Sequence, residues 1–329
     1  MSAVLSAHHL TTGYVTNHHR TIVHSDLSFT LHRGSLTCLL GANGTGKSTL
    51  LRTLSSMQPS LQGEVRLMDA PLAHYSHREL SRLVGVVLTD RTSAGGLRVE
   101  ELVALGRQPH TGLFGHLGRH DIELVGEALA QVGMSHKAHH YVAQLSDGER
   151  QKAMIAKALV QECPIILLDE PTAFLDVVSR IDIMLLLHRL ASEGQKAILL
   201  STHDVDQALL LADHLWLLTP SGLTSGQTED LVLSGQLDKL FPQPHVRFEN
   251  LSGTFRPLVR GERRALVTAA SPLLQHWTVN ALQRAGFDCT DLPSCGLRVE
   301  ALSPTAFLIT RPDGSSASAS SVAEMLTLV

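Results

Sequence analysis

The sequence predicts an α/β fold with a largely parallel core sheet that is covered by helices on both faces. Apolar runs at residues 165–168 and 197–200 have the length and composition of buried strands, and each is followed by a segment with helical periodicity. A third apolar run, residues 35–40, leads through a glycine-rich loop into another helical segment. Strands that alternate with helices along a chain pair side by side in a parallel sheet.

The first forty residues predict a group of antiparallel strands, because short apolar runs alternate there with turn residues. From residue 99 to residue 160 the spacing changes to that of amphipathic helices, with a glycine-rich connector at residues 106–118. The other elements predicted in this part of the chain are strands at 63–68 and 83–88 and helices at 181–190 and 205–212.

The alternation of strands and helices breaks off around Pro242 and Pro244. We expect one domain over residues 1–240, with a helical subdomain at about 90–160, and a small α+β domain over residues 245–329. In the small domain the pattern predicts strands at 264–269, 297–302 and 306–310, helices at 272–285 and 322–328, and a turn or flexible loop at 313–321.

Composition is that of an ordinary globular protein. Hydrophobic residues make up 43% of the 329 residues, and the net charge of −4 gives no reason to expect a nucleic-acid partner. No apolar stretch is long enough to cross a bilayer, and the N-terminus lacks the pattern of a secretion signal. The four cysteines have no metal-type spacing, and Cys38 lies in an apolar strand, which indicates a reduced thiol in the cytoplasm.

Residues 41–49, Gly-Ala-Asn-Gly-Thr-Gly-Lys-Ser-Thr, match the phosphate-binding pattern G-x-x-x-x-G-K-[ST]. The glycines allow several backbone N–H groups to point into one concavity at a helix N-terminus, where an anion is stabilised. Lys47 adds a positive charge for the β- and γ-phosphates, and Ser48 offers a hydroxyl to Mg²⁺. The loop predicts a nucleoside triphosphate site at Gly41, Asn43, Gly44, Thr45, Gly46, Lys47, Ser48 and Thr49.

Two carboxylates end the apolar run at residues 165–168. Asp169 is expected to hold Mg²⁺, usually through water, opposite Ser48. Glu170 is then the natural group to polarise an attacking water molecule. The alternative is a chance acidic pair at the end of a strand.

Residues 145–151, Leu-Ser-Asp-Gly-Glu-Arg-Gln, precede a long helical segment. Ser146 and Glu149 have the spacing of a capping box, and such a helix start can also bind a phosphate from outside. Together with the phosphate loop and the carboxylate strand, in this order, the pattern resembles the ATP-binding cassette family. The segment is similar to that family's L-S-G-G-[EQ] motif, with Asp147 in place of the first glycine.

The resemblance covers about residues 5–240 and implies a P-loop ATPase with a mixed core sheet, an antiparallel β subdomain and a helical subdomain. It implies that Lys47, Glu170 and His203 take part in hydrolysis of ATP with Mg²⁺, His203 as the contact to the γ-phosphate. It further implies that Tyr14 stacks on adenine and that the loop with Asp176 crosses a dimer seam. The family's split site implies a homodimer in which ATP is also gripped by Ser146, Asp147, Gly148 and Glu149 of a second copy.

One residue departs from the family pattern. The strand at 83–88 should lead into a glutamine that approaches Mg²⁺ and couples the site to a membrane partner, but the sequence has Thr89 there. Threonine is shorter and does not span the same distance without water or backbone movement. The coupling role of this loop, and any metal contact of Thr89, are therefore in doubt.

Residues 99–115, which contain Gly106-Arg107-Gln108-Pro109, resemble the helical subdomain of importer ATPases for iron–siderophores, haem and cobalamin, where G-R-x-P recurs. In that group the region faces the permease. The resemblance implies a peripheral protein on the cytoplasmic face of the inner membrane. Its implied partners are an integral membrane permease and, indirectly, a periplasmic or surface binding protein. The sequence does not indicate which cargo is transported.

Two other functions stay open. The first is a soluble, non-transport cassette ATPase, although the coiled-coil insertions, tandem cassettes or basic surface of such proteins are not visible. The second is an ATP-responsive binding module with weak hydrolysis, which Thr89 favours and which Lys47 and Glu170 oppose. For residues 245–329 we expect a role in regulating or stabilising the dimer.

Overall fold

The structure is a computed structural model and describes residues 2–16, 19–88, 96–112, 115–257, 263–289 and 296–329. The chain forms two compact units. The first unit comprises Met1–Pro242 with Phe248–Thr254, and the second comprises Gln243–Arg247 with Phe255–Val329.

The secondary structure up to residue 257 begins with two long strands and then alternates between helices and strands. In chain order the elements are β1 (Ala3–Thr16), β2 (His19–His32), β3 (Leu36–Leu40), α1 (Lys47–Leu54), β4 (Gln62–Leu67), β5 (Ala70–Pro71), α2 (His77–Leu83), β6 (Val84–Val87), α3 (Val99–Ala104), α4 (Arg119–Gln131), α5 (Asp147–Leu159), β7 (Ile165–Asp169), α6 (Val177–Ser192), β8 (Ala197–Thr202), α7 (Val205–Leu211), β9 (His214–Thr219), β10 (Gly222–Gln227), α8 (Thr228–Leu233), β11 (Val246–Glu249) and β12 (Thr254–Pro257). Single turns of 3-10 helix lie at Leu72–His74, Leu105–Arg107, Ser135–Lys137, Val142–Gln144 and Gln236–Lys239.

The core sheet has the strand order β10-β9-β3-β8-β7-β6. All its pairs are parallel except β10 with β9. Every residue of β3, β7 and β8 is buried, as is usual for strands with helices on both faces. The predicted α/β fold is thus confirmed, and the carboxyl ends of β3, β7 and β8 lie side by side.

An antiparallel sheet in the order β2-β1-β4-β5 stands beside the core sheet. The prediction of antiparallel strands in the first forty residues is confirmed, although two long strands with register shifts replace the three short runs. The aromatic rings of Phe29 and Trp216 lie 4.3 Å apart and join the two sheets in one hydrophobic core. The phosphate-loop helix α1 is anchored in this core through Leu50 and Leu54.

The helical segment is held together by a buried arginine. The Arg107 side chain is 4% exposed and donates hydrogen bonds to Asp121 (2.8 Å), Glu162 (2.6 Å) and the Val160 carbonyl (2.8 Å). A Cβ on Gly106 would lie 2.2 Å from the Lys157 carbonyl oxygen. Close packing on the end of α5 thus buries Gly106 and Arg107, and the contact of this region with a permease stays a prediction.

We expect Arg107→Ala to lower the free energy of unfolding by about 2–4 kcal/mol, because the Asp121 and Glu162 carboxylates lose a shared cationic donor. Arg107→Lys should recover only part of the loss, since an ammonium cannot reproduce the planar fork. Urea unfolding followed by circular dichroism checks this. Equal midpoints for the parent and Arg107→Ala would contradict a structural role for the network.

The second unit is built around a five-stranded sheet. Its elements are β13 (Arg263–Ala269), α9 (Pro272–Arg284), β14 (Phe287–Cys289), β15 (Leu297–Ser303), β16 (Ala306–Thr310), β17 (Ser316–Ala319) and α10 (Val322–Leu328). The strand order is β14-β13-β15-β16-β17, with β13 parallel to β14 and β15 and the other pairs antiparallel. Both helices pack on the sheet and enclose a separate hydrophobic core.

The predicted elements of the small domain are confirmed within one residue, with one exception. The expectation of only a turn or flexible loop at 313–321 was wrong, because β17 occupies Ser316–Ala319. Its Ser-Ala-Ser-Ala sequence lacks the β-branched and aromatic residues that mark strands, and only pairing with β16 makes it one. Among the described residues, no helix combines the length and the apolar character that a membrane span requires.

Candidate active site

The phosphate loop lies between β3 and α1 and depends on glycine at two positions. Gly46 begins the helix with a φ of 89°, a left-handed conformation that L side chains rarely adopt. A Cβ there would also lie 2.4 Å from Cγ1 of Val23 and 2.6 Å from Cε1 of His24. At Gly41 a Cβ would lie 2.7 Å from the Leu218 carbonyl oxygen. The loop is therefore closely packed against β2 at Gly46 and against β9 at Gly41.

Lys47 is the buried cation of this loop. Its ammonium group donates to the carbonyl oxygens of Gly41 (2.8 Å) and Ala42 (3.3 Å) and lies 4.0 Å from Oε1 of Glu170. Burial lowers the pKa of Lys47, and the Glu170 and Asp169 carboxylates partly oppose that shift. The positive charge of Lys47 thus faces the concavity of the loop and one carboxylate. A phosphate bound in the concavity would be stabilised by this charge.

Ser201 connects the two acidic residues of the site, Asp169 and Glu170. Asp169, at the end of β7, pairs in register with Ser201 in β8. The Ser201 hydroxyl donates to Oδ1 of Asp169 at 2.7 Å and accepts the backbone N–H of Glu170 at 2.9 Å. Glu170 has a φ of 46°, which is uncommon for a residue with a side chain. The fully buried serine thereby fixes both the Asp169 carboxylate and the strained backbone of Glu170.

Ser201 was not predicted as a site residue, because a serine within an apolar strand has no local sequence pattern that marks it. We expect Ser201→Ala to lower kcat for ATP about tenfold and to raise the Mg²⁺ concentration needed for half-maximal rate, since the Asp169 carboxylate and the Glu170 backbone N–H each lose a fixed partner. Ser201→Thr keeps the hydroxyl and should retain most of the activity. Steady-state phosphate release at varied Mg²⁺ measures both values. An unchanged Mg²⁺ dependence in Ser201→Ala would contradict the positioning role.

His203 follows β8 and approaches Glu170 from the other side. Its Nδ1 atom lies 3.5 Å from Oε2 of Glu170, and its side chain is 56% exposed. Asp204 caps α7 by accepting the Gln207 backbone N–H, which fixes the turn that carries the histidine. Glu170 therefore stands between a buried ammonium and an accessible imidazole.

His24 is a second buried residue that the sequence did not point to. It packs under the phosphate loop at Gly46, and its Nδ1 atom lies 3.2 Å from Oγ1 of Thr12. Burial lowers the pKa of His24, with the Thr45 backbone opposing the shift. A neutral imidazole therefore supports the floor of the loop.

Ser146 and Glu149 form the predicted capping box at the start of α5. The Ser146 hydroxyl accepts the Glu149 N–H at 3.2 Å, and the Ser146 N–H donates to the Glu149 carboxylate at 3.0 Å. That N–H, and secondarily Lys137, lowers the pKa of Glu149. Ser146 and Asp147 are exposed at the surface, and the Asp147 carboxylate lies 3.6 Å from Arg150.

The start of α6 lies next to this turn. Asp176 caps α6 by accepting the Ser179 backbone N–H, and a Cβ on Gly148 would lie 3.0 Å from the Ser179 hydroxyl. Phe174, just before the cap, has a φ of 63° and a side chain that is 79% exposed. The predicted residues thus fall into two groups, one around Lys47 and Glu170 and one at the exposed starts of α5 and α6.

Two predicted residues remain apart from these groups. Tyr14 lies on β1 opposite Thr21, with its side chain half exposed. Thr89 lies outside the described residues, so the doubt about its coupling role stands as a prediction. Asn43 and Gly44 are exposed at the tip of the phosphate loop, while Ser48 and Thr49 are partly buried in the first turn of α1.

Comparison with known proteins identifies the family. A family model described as ABC transporter matches residues 24–173, and one described as Iron ABC transporter C-terminal domain matches residues 265–329. The ferric enterobactin transport ATP-binding protein FepC of Escherichia coli (strain K12) is 37% identical over 240 residues, which are 73% of this chain and 87% of FepC.

Solved structures agree with this result. A transporter described as metal-chelate type, in an inward-facing conformation, superposes with a TM-score of 0.64 at 29% identity and covers 78% of this chain and 96% of its own. The dimeric structure of MJ0796, a bacterial ABC transporter cassette, gives a TM-score of 0.60 at 25% identity, over 68% of this chain and 98% of its own. The chain belongs to the ATP-binding cassette family and is an ATPase of the group that serves iron–siderophore importers.

Proposed function

We propose that this ATPase energises the uptake of a ferric siderophore through a membrane permease, from a peripheral position on the cytoplasmic face of the inner membrane. The similarity to FepC, a ferric enterobactin transport protein, supports this cargo class over haem and cobalamin. The match of residues 265–329 to the iron transporter C-terminal domain supports it independently. A periplasmic or surface binding protein would deliver the chelate to the permease.

The observation that best supports ATP hydrolysis by this chain is the position of Glu170 between Lys47 and His203. In the proposed reaction Lys47 and the loop N–H groups bind the β- and γ-phosphates of ATP. Glu170 accepts a proton from the attacking water, and His203 contacts the γ-phosphate. Tyr14 stacks on the adenine ring.

The oxygen donors of the site fit a Mg²⁺ ion. Ser48 offers a hydroxyl at the start of α1, and Asp169 offers a buried carboxylate that Ser201 holds in place. Such hard oxygen ligands, few in number and completed by phosphate and water, are those that Mg²⁺ prefers. When bound, the ion would neutralise charge on the phosphate oxygens.

We further propose that two copies pair head to tail, so that Ser146, Asp147 and Gly148 of one copy close the ATP site of the other. Exposure of the starts of α5 and α6, including Asp176, supports this pairing. The dimeric MJ0796 cassette provides a precedent among similar proteins. Residues 245–329 would form an accessory domain that regulates or stabilises the pair.

Reconstitution tests the proposal. The chain, combined in proteoliposomes with its membrane permease and binding protein, should import iron-labelled siderophore when ATP is present on the side of the ATPase. Labelled haem and cobalamin serve as competing cargoes, and a complex carrying Glu170→Gln serves as the control without hydrolysis. Preferred uptake of haem or cobalamin would overturn the cargo class. ATP hydrolysis that never responds to any permease would favour a non-transport ATPase.

A further inference from the structure

In the part of the second unit that the structure describes, helices pack on one face of the sheet only. Helix α9 packs against β13, β14 and β15, and helix α10 packs against β16, β17 and α9. Side chains that alternate along the strands, such as Val267, Val299 and Ile309, are buried beneath these helices. Because successive strand residues point to opposite faces, the side chains between them form a second face without a helical cover. We call this surface the open face.

The open face carries two rows of residues that the strand register aligns. The first row is Leu266, Arg298, Thr310 and Ser316, and the second row is Thr268, Glu300, Leu308 and Ser318. Within these rows the charged residues are Arg298 and Glu300, both on β15, the middle strand of the sheet. Arg264 and Asp288 form a further pair in register on this face, outside the two rows. Among the residues that the structure describes, neither Arg298 nor Glu300 forms an ion pair. Leu302, the next residue of β15 on this face, is 60% exposed.

We propose that the open face binds the open face of a second copy of this chain. In this arrangement a two-fold axis lies midway between the two sheets, runs across the strands and is level with Val299 of β15. The two β15 strands that face each other are then antiparallel. The axis sets Arg298 of each copy opposite Glu300 of the other. Every contact is made twice, as a two-fold interface requires.

The other pairs that this axis creates are also compatible. Leu266 meets Thr268, and Leu308 meets Thr310, so that each of these partly buried leucines packs against a threonine methyl group. No like charges face each other in the two rows. If both charges on β15 had the same sign, two copies would repel each other. Because Arg298 and Glu300 have opposite signs, the strand is complementary to an antiparallel copy of itself, which favours a second copy over a partner that carries charges of one sign.

By itself the open face, which is one face of a single sheet, should give a weak dimer that forms only at high protein concentration, since tight and specific interfaces usually bury about 1,200 Å² or more. Its effect comes from linkage to the pairing of the first units, which the proposed function already requires. A second contact raises the effective concentration of the two ATPase units. The open face would thus keep two copies together after ATP has been hydrolysed, when the first units separate.

Charge reversal in the full-length chain tests the inference. Self-association is measured by analytical ultracentrifugation without nucleotide and with EDTA, for the parent, Arg298→Glu, Glu300→Arg and the double variant. Each single variant should weaken association about tenfold, because two like pairs face each other. The double variant should associate like the parent. An equimolar mixture of the two single variants should associate more tightly than either alone, since acidic then faces basic in every pair.

The control is Arg284→Glu, which makes the same charge change on the exposed side of α9 and should have no effect. A parent chain that stays monomeric without nucleotide up to the highest concentration measured, or single variants that associate as the parent does, would overturn the inference. So would a mixture without rescue. If the reversals left self-association unchanged but lowered transport by the reconstituted complex, the open face would bind a membrane subunit instead. ATP-dependent pairing of Glu170→Gln is measured separately, so failure here leaves the proposed function intact.

Discussion

Glu170→Gln is expected to reduce ATP turnover about 100- to 1,000-fold, because glutamine has nearly the same shape but cannot accept the proton of the attacking water. Nucleotide binding should persist, since Lys47 and the phosphate loop are unchanged. The variant should therefore accumulate as an ATP-bound dimer. Phosphate release measures the turnover, and size-exclusion chromatography with ATP measures the dimer.

Glu193→Gln is the matched control, because Glu193 is exposed at the end of α6 and lies outside both groups of site residues. It should hydrolyse ATP as fast as the parent and should not form a lasting dimer. If Glu170→Gln also kept the parent's turnover, Glu170 would not be the group that activates water. Its position between Lys47 and His203 would then need another explanation.

Gly46→Ala is expected to weaken ATP binding at least 100-fold. The added methyl group would lie 2.4 Å from Val23 and 2.6 Å from His24, and the φ of 89° would itself be strained. Because both contacts belong to the antiparallel sheet packed on the loop, the loop has to move away from its phosphate-binding conformation. Fluorescence titration with a labelled ATP analogue measures the affinity.

Gly44→Ala separates steric from conformational effects. Gly44 also has a positive φ, 77°, but a Cβ there would meet nothing within 4 Å. Strain alone should therefore cost about 1–2 kcal/mol, or roughly a tenfold loss of affinity. Equal losses in the two variants would contradict the account of Gly46, since contact with the neighbouring strand would then be irrelevant.

Patterns that are local in sequence predicted the structure well. Some features depend only on residues that are close together in the sequence. They are the phosphate loop, the apolar strands at 165–168 and 197–200, and the capping box at Ser146 and Glu149. Hydrophobic spacing was also sufficient for α9 and α10, because one face of each helix packs on a sheet.

Features that depend on distant contacts were not predictable. Ser201 acts on Glu170 across 31 residues, and only strand register brings the two together. The buried ion pairs of Arg107 were not predicted, because its partner Glu162 lies 55 residues away. Strand β17 was missed because its small residues have no strand propensity, and its conformation depends on β16.

In the proposed dimer each ATP is held between the phosphate loop of one copy and the start of α5 of the other. Disulfide crosslinking tests it most directly, in the Glu170→Gln background, with Asn43→Cys in one copy and Asp147→Cys in the other; both positions are exposed. We expect a crosslink that needs both variants and ATP and that disappears with ADP. A mixture that never crosslinks with ATP, or crosslinks equally without it, would contradict the shared site.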